Sequence, residues 1–162
     1  MKFNTLCYAM LLVFGLLSCA DGGSADAGTE ASPEETGPLT FETFSGVPSP
    51  LKGCACFFAQ SDLDFEERKY LFANDNNASG DGTGMAFMRV RGKVRQFQRT
   101  NLEKDGDEGA DMTYEADGYT LEVEANFGES LPGEAVRTTG NITLKGPDGE
   151  TINTDYIGTC GC

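Results

Sequence analysis

Tyr119-Thr120-Leu121-Glu122-Val123-Glu124-Ala125-Asn126-Phe127 alternates apolar and polar residues along its whole length. Successive side chains of a β-strand point to opposite faces, so this stretch predicts a strand with one dry face and one wet face. Asp117-Gly118 before it is a tight-turn signal, and Met112-Thr113-Tyr114-Glu115-Ala116 reads as its antiparallel partner. The same pattern continues outward. Asn141–Lys145 and Glu150–Ile157 flank the turn Gly146-Pro147-Asp148-Gly149, and Met85–Val90 and Lys93–Arg99 flank Arg91-Gly92. Leu51–Ala59 and Tyr70–Ala73 are further strands. Only Ser61–Lys69 reads as helical, a turn or two long, with Ser61 and Asp64 placed as an N-terminal cap. Short strands joined by regular turns predict an all-β fold, a small antiparallel barrel or sandwich with one short helix.

Two cysteine pairs bracket this pattern. Cys54-Ala55-Cys56 lies at its start and Cys160-Gly161-Cys162 ends the chain. Residues i and i+2 of a strand share a face, so two neighbouring strands would carry two disulfides in a row. A bond inside one Cys-x-Cys unit is disfavoured, because extended i and i+2 Cα atoms lie at or past the usual disulfide reach. Antiparallel neighbours give Cys54–Cys162 and Cys56–Cys160, and parallel neighbours give the other pairing; antiparallel pairs are the commoner kind. The first bond closes a loop of roughly 100 residues and removes ~4–5 kcal/mol of unfolded-state entropy, while the second adds little. A four-thiolate centre for zinc or Cu(I) is the alternative use of the same sulfurs. One intervening residue is tight for zinc ligands, and an exported chain would have its thiols oxidised. The expectation is two disulfides and no metal, with the first and last strands adjacent in a closed or nearly closed sheet.

The N-terminus says where such a clasp would work. Lys2 precedes an apolar run, Leu6-Cys7-Tyr8-Ala9-Met10-Leu11-Leu12-Val13-Phe14-Gly15-Leu16-Leu17, too short for a comfortable membrane span and of signal-peptide length. Leu16-Leu17-Ser18-Cys19 follows, and it resembles the lipobox of bacterial lipoproteins. The resemblance implies a signal peptide over 1–18, lipidation of Cys19 and loss of Cys7 with the leader. Four cysteines then remain, the even number a disulfide framework needs. Two or more acyl chains bury enough methylene groups for stable anchoring. In that family Asp directly after the cysteine often retains the protein at the inner membrane; here the position is Ala20, which implies the outer membrane of a Gram-negative cell.

Residues 19–38 hold small, Gly, Pro and acidic residues, with Asp21, Asp26, Glu30, Glu34 and Glu35 and no base. They cannot bury enough surface to fold and are expected to be an acidic, disordered tether. Residues 39–162 are long enough for one domain with a real core. The formal net charge is −14, and loss of the leader removes Lys2 and no acid. Such acidity argues against nucleic acid and anionic lipid surfaces as partners.

Candidate sites are few. Asp75-Asn76-Asn77-Ala78-Ser79-Gly80-Asp81-Gly82-Thr83 resembles a calcium loop, but the twelfth position is Ala86 where a bidentate Glu is needed, so a polar hairpin loop is expected. Asp105–Asp111 is a second acidic loop. Arg89, Arg91, Lys93, Arg95 and Arg99 form the one basic island, a candidate binding patch for a carboxylated glycan or acidic partner. These bases are expected to be largely exposed, and a plainer use for them is cross-strand pairing with Glu122 and Glu124. The chain has no histidine, which excludes histidine triads, bases and metal ligands, and no tryptophan for stacking sugars. No catalytic residue and no cofactor can be singled out, and an enzyme is not expected.

Gly53-Cys54-Ala55-Cys56-Phe57-Phe58, Met85–Phe97 and the terminal Gly158-Thr159-Cys160-Gly161-Cys162 together resemble uncharacterised small bacterial lipoproteins, a likeness that implies no activity. The membrane-bound lysozyme inhibitors share this architecture and address. Their Ser-Gly-x-x-Tyr motif is not matched, since Ser79-Gly80 is followed by Asp81-Gly82-Thr83. The expected function is a lipid-anchored envelope protein whose β domain is a binding or structural module with a protein or glycan partner. The alternatives are an envelope inhibitor of a cationic hydrolase such as lysozyme, and a periplasmic thiolate metal-binding protein.

Overall fold

Eight antiparallel strands close on themselves. The structure is a computed structural model that describes residues 37–51, 53–76 and 84–162. Its strands are β1 (Phe44–Ser45), β2 (Ala55–Ala59), β3 (Lys69–Tyr70), β4 (Phe72–Asp75), β5 (Met85–Val90), β6 (Lys93–Asp105), β7 (Gly109–Ala116), β8 (Tyr119–Leu131), β9 (Ala135–Lys145) and β10 (Thr151–Gly161). One helix, α1 (Asp62–Glu66), follows β2. The barrel runs β10-β2-β4-β5-β6-β7-β8-β9 and closes, while β1 and β3 form a separate two-stranded ribbon. The choice between barrel and sandwich is thereby settled as a barrel. The described residues belong to one compact unit, Glu35–Cys162. The leader, Cys19 and residues 19–36 of the expected tether lie outside the described residues.

Closure follows from the clasp and the alternation together. Cys160 stands directly opposite Cys56 in the antiparallel register of β10 and β2. Disulfides join Cys54 to Cys162 and Cys56 to Cys160, across sequence separations of 108 and 104. Leu121, Val123 and Ala125 of β8 point inward, with Glu122 and Glu124 outward. This dry-inside, charged-outside arrangement is the inverse of a membrane-spanning barrel. An aromatic layer crosses the interior: Phe58 stacks on Tyr156 at 4.0 Å between centroids and on Phe72 at 5.2 Å, and Phe72 meets Tyr114 edge-on at 5.7 Å. Each such ring, fully buried, contributes roughly 1.5–3 kcal/mol through removal of apolar surface from water.

Several strand limits differ from the sequence reading, each for a local reason. The strand expected over Leu51–Ala59 begins only at Ala55, because Gly53 takes φ +80° and the Leu51 amide turns back onto the Pro48 carbonyl. Tyr70–Ala73 is divided at Leu71: Tyr70 pairs with Phe44 in the ribbon and Phe72 enters the barrel. The helix forms where the cap predicts it, with the Asp64 amide donating to Ser61 Oγ. The β6 strand continues six residues beyond Arg99, to Asp105, through a bulge between Arg99 and Asn101. A second bulge lies in β8 between Phe127 and Ser130.

Candidate functional site

The two ends of the barrel differ. At one end lie the turns Arg91-Gly92, Asp117-Gly118 and Gly146–Gly149. Buried Leu39 covers this end, its amide donating to Glu150 Oε2 at 3.1 Å. Arg91 Nη2 reaches Asp148 at 3.0 Å and Glu150 at 3.3 Å, and the Gly92 amide donates to Glu42 Oε1. Arg95 binds Asp117 at 2.7 Å and lies 4.9 Å over the ring of Tyr119. The Asp148 hydrogen bond raises the pKa of Arg91, and Asp148 itself is lowered by the Glu150 amide and then by Arg91.

The basic island is therefore not one exposed surface. Arg91 and Arg95 retain only 12% and 14% of side-chain exposure and bind the carboxylates of neighbouring turns. Arg89 is half-buried on the outer face, opposite Glu42 in an isolated bridge. Lys93 is exposed, and Arg99 points into the barrel. The pairing expected with Glu122 and Glu124 does not form. Those carboxylates lie opposite Thr113 and Thr143, and Asp111 and Asn141, respectively.

The other end, where the disulfides sit, opens into a cavity of about 360 Å³. The bulge in β6 builds it. Before the bulge the inward positions are Phe97 and Arg99; after it they are Leu102 and Lys104, because Thr100 is inserted without a partner and the parity changes. Leu102 then meets Met112, and Lys104 meets Ala110. Phe127 and Val136 supply the wall beside the second bulge, and the Cys56–Cys160 disulfide continues it, since Cys160 pairs with Val136.

Below the cavity lies a buried polar group of residues. Asn74 Nδ2 donates to Tyr114 Oη at 2.7 Å, and Tyr114 in turn donates to Met112 Sδ at 3.2 Å. Burial pushes the Tyr114 phenol up to about 12, against the opposing pull of the Asn74 hydrogen bond and the Arg99 charge. Arg99 is 6% exposed and stands opposite Tyr114 in the strand register. Its Nε and Nη2, and Asn74 Oδ1, are buried with no hydrogen-bond partner among the described residues. Asp75, at the same rim, is engaged through Oδ1 by the Met85 amide.

Of Asp75–Thr83, the calcium-like stretch expected to be a polar hairpin loop, residues 77–83 lie outside the described residues. The acidic loop at Asp105 is the tight turn from β6 to β7, closed by the Glu108 amide on the Asp105 carbonyl. The four clasp sulfurs are all bonded in disulfides, so the thiolate metal centre would require their reduction first. Of the cavity lining, the sequence singles out Arg99 as part of the basic island, Cys56 and Cys160 as clasp cysteines, and Asp75 and Asp107 in the polar loops; it does not bring them together with Leu102, Phe127 and Val136.

Fold and site together define a disulfide-stapled, eight-stranded antiparallel barrel with one end latched and a cavity at the other. No protein-family model, curated protein or solved structure matches the chain.

Proposed function

We propose that this chain is a lipid-anchored protein of the outer membrane whose barrel is a binding module. The observation that carries the module is the cavity beside Arg99. A core arginine with two unpartnered N–H groups is a cost that a purely structural barrel has no reason to keep, since buried polar groups are ordinarily satisfied. The anchor rests on Leu16-Leu17-Ser18-Cys19 directly after an apolar run.

The module is tested by purifying the lipidated protein from producing cells in mild detergent and analysing an organic extract of it by mass spectrometry. A small molecule recovered in near-stoichiometric amount supports the reading, and repeated recovery of none removes it. Metabolic labelling with an alkyne fatty acid should mark the wild type and not Cys19→Ala; equal labelling of both would sink the anchor.

A second reading, an inhibitor of a cationic hydrolase such as lysozyme, is favoured by one outer row. Glu103, Asp111, Glu124, Asn141 and Asp155 lie in register across β6 to β10, with all four carboxylates exposed. Such a row raises a strong negative potential without neutralising partners. Absence of lysozyme inhibition at micromolar protein removes this reading.

A further inference from the structure

We infer that the Arg99 end of the cavity is a carboxylate site, and that its ligand is a small amphipathic carboxylic acid whose apolar body lies along Leu102, Met112, Phe127 and Val136. The inference rests on the barrel being a binding module and narrows that module to one ligand class.

A buried lysine or carboxyl can shed its charge, but a guanidinium keeps its proton at any ordinary pH. Arg99 therefore holds a full positive charge at 6% exposure, and it takes part in no ion pair with a described carboxylate. An isolated buried charge is strongly unfavourable unless something pairs with it.

The nitrogens left without partners are informative. Nε and Nη2 lie on the same edge of the guanidinium and present two parallel N–H bonds. That edge is the fork that matches the two oxygens of a carboxylate. The plane of the fork is held from behind. A Cβ placed on Gly84 would lie 2.5 Å from Arg99 Cζ, so the guanidinium packs onto bare backbone, and the Arg99 amide donates to the Gly84 carbonyl at 2.8 Å. Only glycine leaves this room.

Charge and shape select among anions. The lining carries buried Arg99 and exposed Lys104 against the carboxylates of Asp75 and Asp107, so a monoanion adds less uncompensated charge than a dianion would. One wall is hydrocarbon and sulfur, from Leu102, Ala110, Met112, Phe127, Val136 and the Cys56–Cys160 bridge, and the rim is polar, from Asn76, Lys104 and Asp107. A cavity of about 360 Å³ suits a compact organic acid.

The test uses the full chain in phosphatidylcholine nanodiscs and three probes: octanoate, octanol and inorganic phosphate. Binding is followed through the Arg99 Nε–H resonance and the Met112 methyl resonance. Octanoate should shift both saturably, with octanol and phosphate weaker by roughly ten- to a hundredfold, the worth of a charge-assisted hydrogen bond. Arg99→Gln should lose a similar factor for octanoate, read on the Met112 methyl. Gly84→Ala, which keeps the charge but displaces the fork, should weaken octanoate as well. If either variant fails to fold, the comparison of octanoate with octanol on the wild type still decides. Equal octanol binding, phosphate binding as tight as octanoate, or no saturable shift would each overturn the inference. A co-purifying molecule without a carboxylate would overturn this ligand class while leaving the binding module standing.

Discussion

The Tyr156 hydroxyl donates to the Glu124 carbonyl at 3.1 Å across Gly140, the residue that pairs with Tyr156 on one side and Ala125 on the other. A Cβ on Gly140 would fall 1.8 Å from that carbonyl oxygen and 2.9 Å from the hydroxyl. The glycine is thus what allows β8, β9 and β10 to close around the phenol. Gly140→Ala is expected to destabilise by about 3 kcal/mol, the upper part of the range for overpacking. Tyr156→Phe, which removes only the hydrogen bond, should cost about 1 kcal/mol. Urea denaturation of both variants checks the order; an alanine variant no worse than the phenylalanine one would mean the backbone yields easily there.

High pH should unfold the barrel through its buried phenols. An unfolded tyrosine titrates near 10, whereas burial holds Tyr114 up to about 12 and also pushes Tyr156 upward, with Glu124 adding to the effect. Above pH 10 the unfolded chain therefore binds fewer protons than the native one. Stability is full below that value and falls as pH rises, by up to about 1.4 kcal/mol per pH unit for each phenol. Denaturation midpoints at a series of pH values from 9 upward should show the decline, and Tyr114→Phe should flatten it. An identical slope in that variant would exclude Tyr114 as a contributor.

The latched end gives a third expectation. Arg91 joins the Asp148 turn to Glu150, and Glu150 also receives the Leu39 amide. Arg91→Ala should lower the melting temperature and speed hydrogen exchange at the Leu39 amide. Lys93→Ala, at an exposed position, should do neither. Unchanged exchange at Leu39 in the Arg91 variant would show that the apolar cover holds without the latch.

Sequence pattern reaches as far as period-two alternation and local turn chemistry do. Glu122, Glu124 and their apolar neighbours make β8 legible, and Ser61 with Asp64 makes α1 legible, because each signal is local. The end of β6 was not legible: the bulge at Thr100 changes the inward parity, and a change of parity looks like the end of a strand. In sequence Arg99 reads as one more exposed base, because most arginines are exposed. Its burial depends on the space at Gly84 and on Tyr114 of another strand, contacts that no local pattern encodes. The cover formed by Leu39 and the packing of Phe44 and Leu51 on the outer face likewise depend on tertiary contact alone.

The clasp predicts unequal losses. One bridge joins β2 to β10 and the other joins the residues just outside them, so both close loops of nearly the same length, 108 and 104 residues of separation. Once one bridge is present the other removes little further unfolded-state entropy. Cys54→Ser opens the outer bridge, whose sulfurs lie at a half-buried and an exposed residue, so it should cost little. Cys56→Ser opens the inner bridge, whose two cysteines are each 3% exposed, and it places a hydroxyl in a wall made of hydrocarbon and sulfur. It should cost more than Cys54→Ser by roughly 1–3 kcal/mol, the penalty for burying an unsatisfied polar group. The double variant should lose a further ~2–5 kcal/mol, because only then is the unfolded chain released from its long loop. The double loss would therefore exceed the sum of the single ones, a coupling read directly from a double-mutant cycle in urea. Additive losses would mean that the two bridges constrain the unfolded chain independently, contrary to their nested geometry.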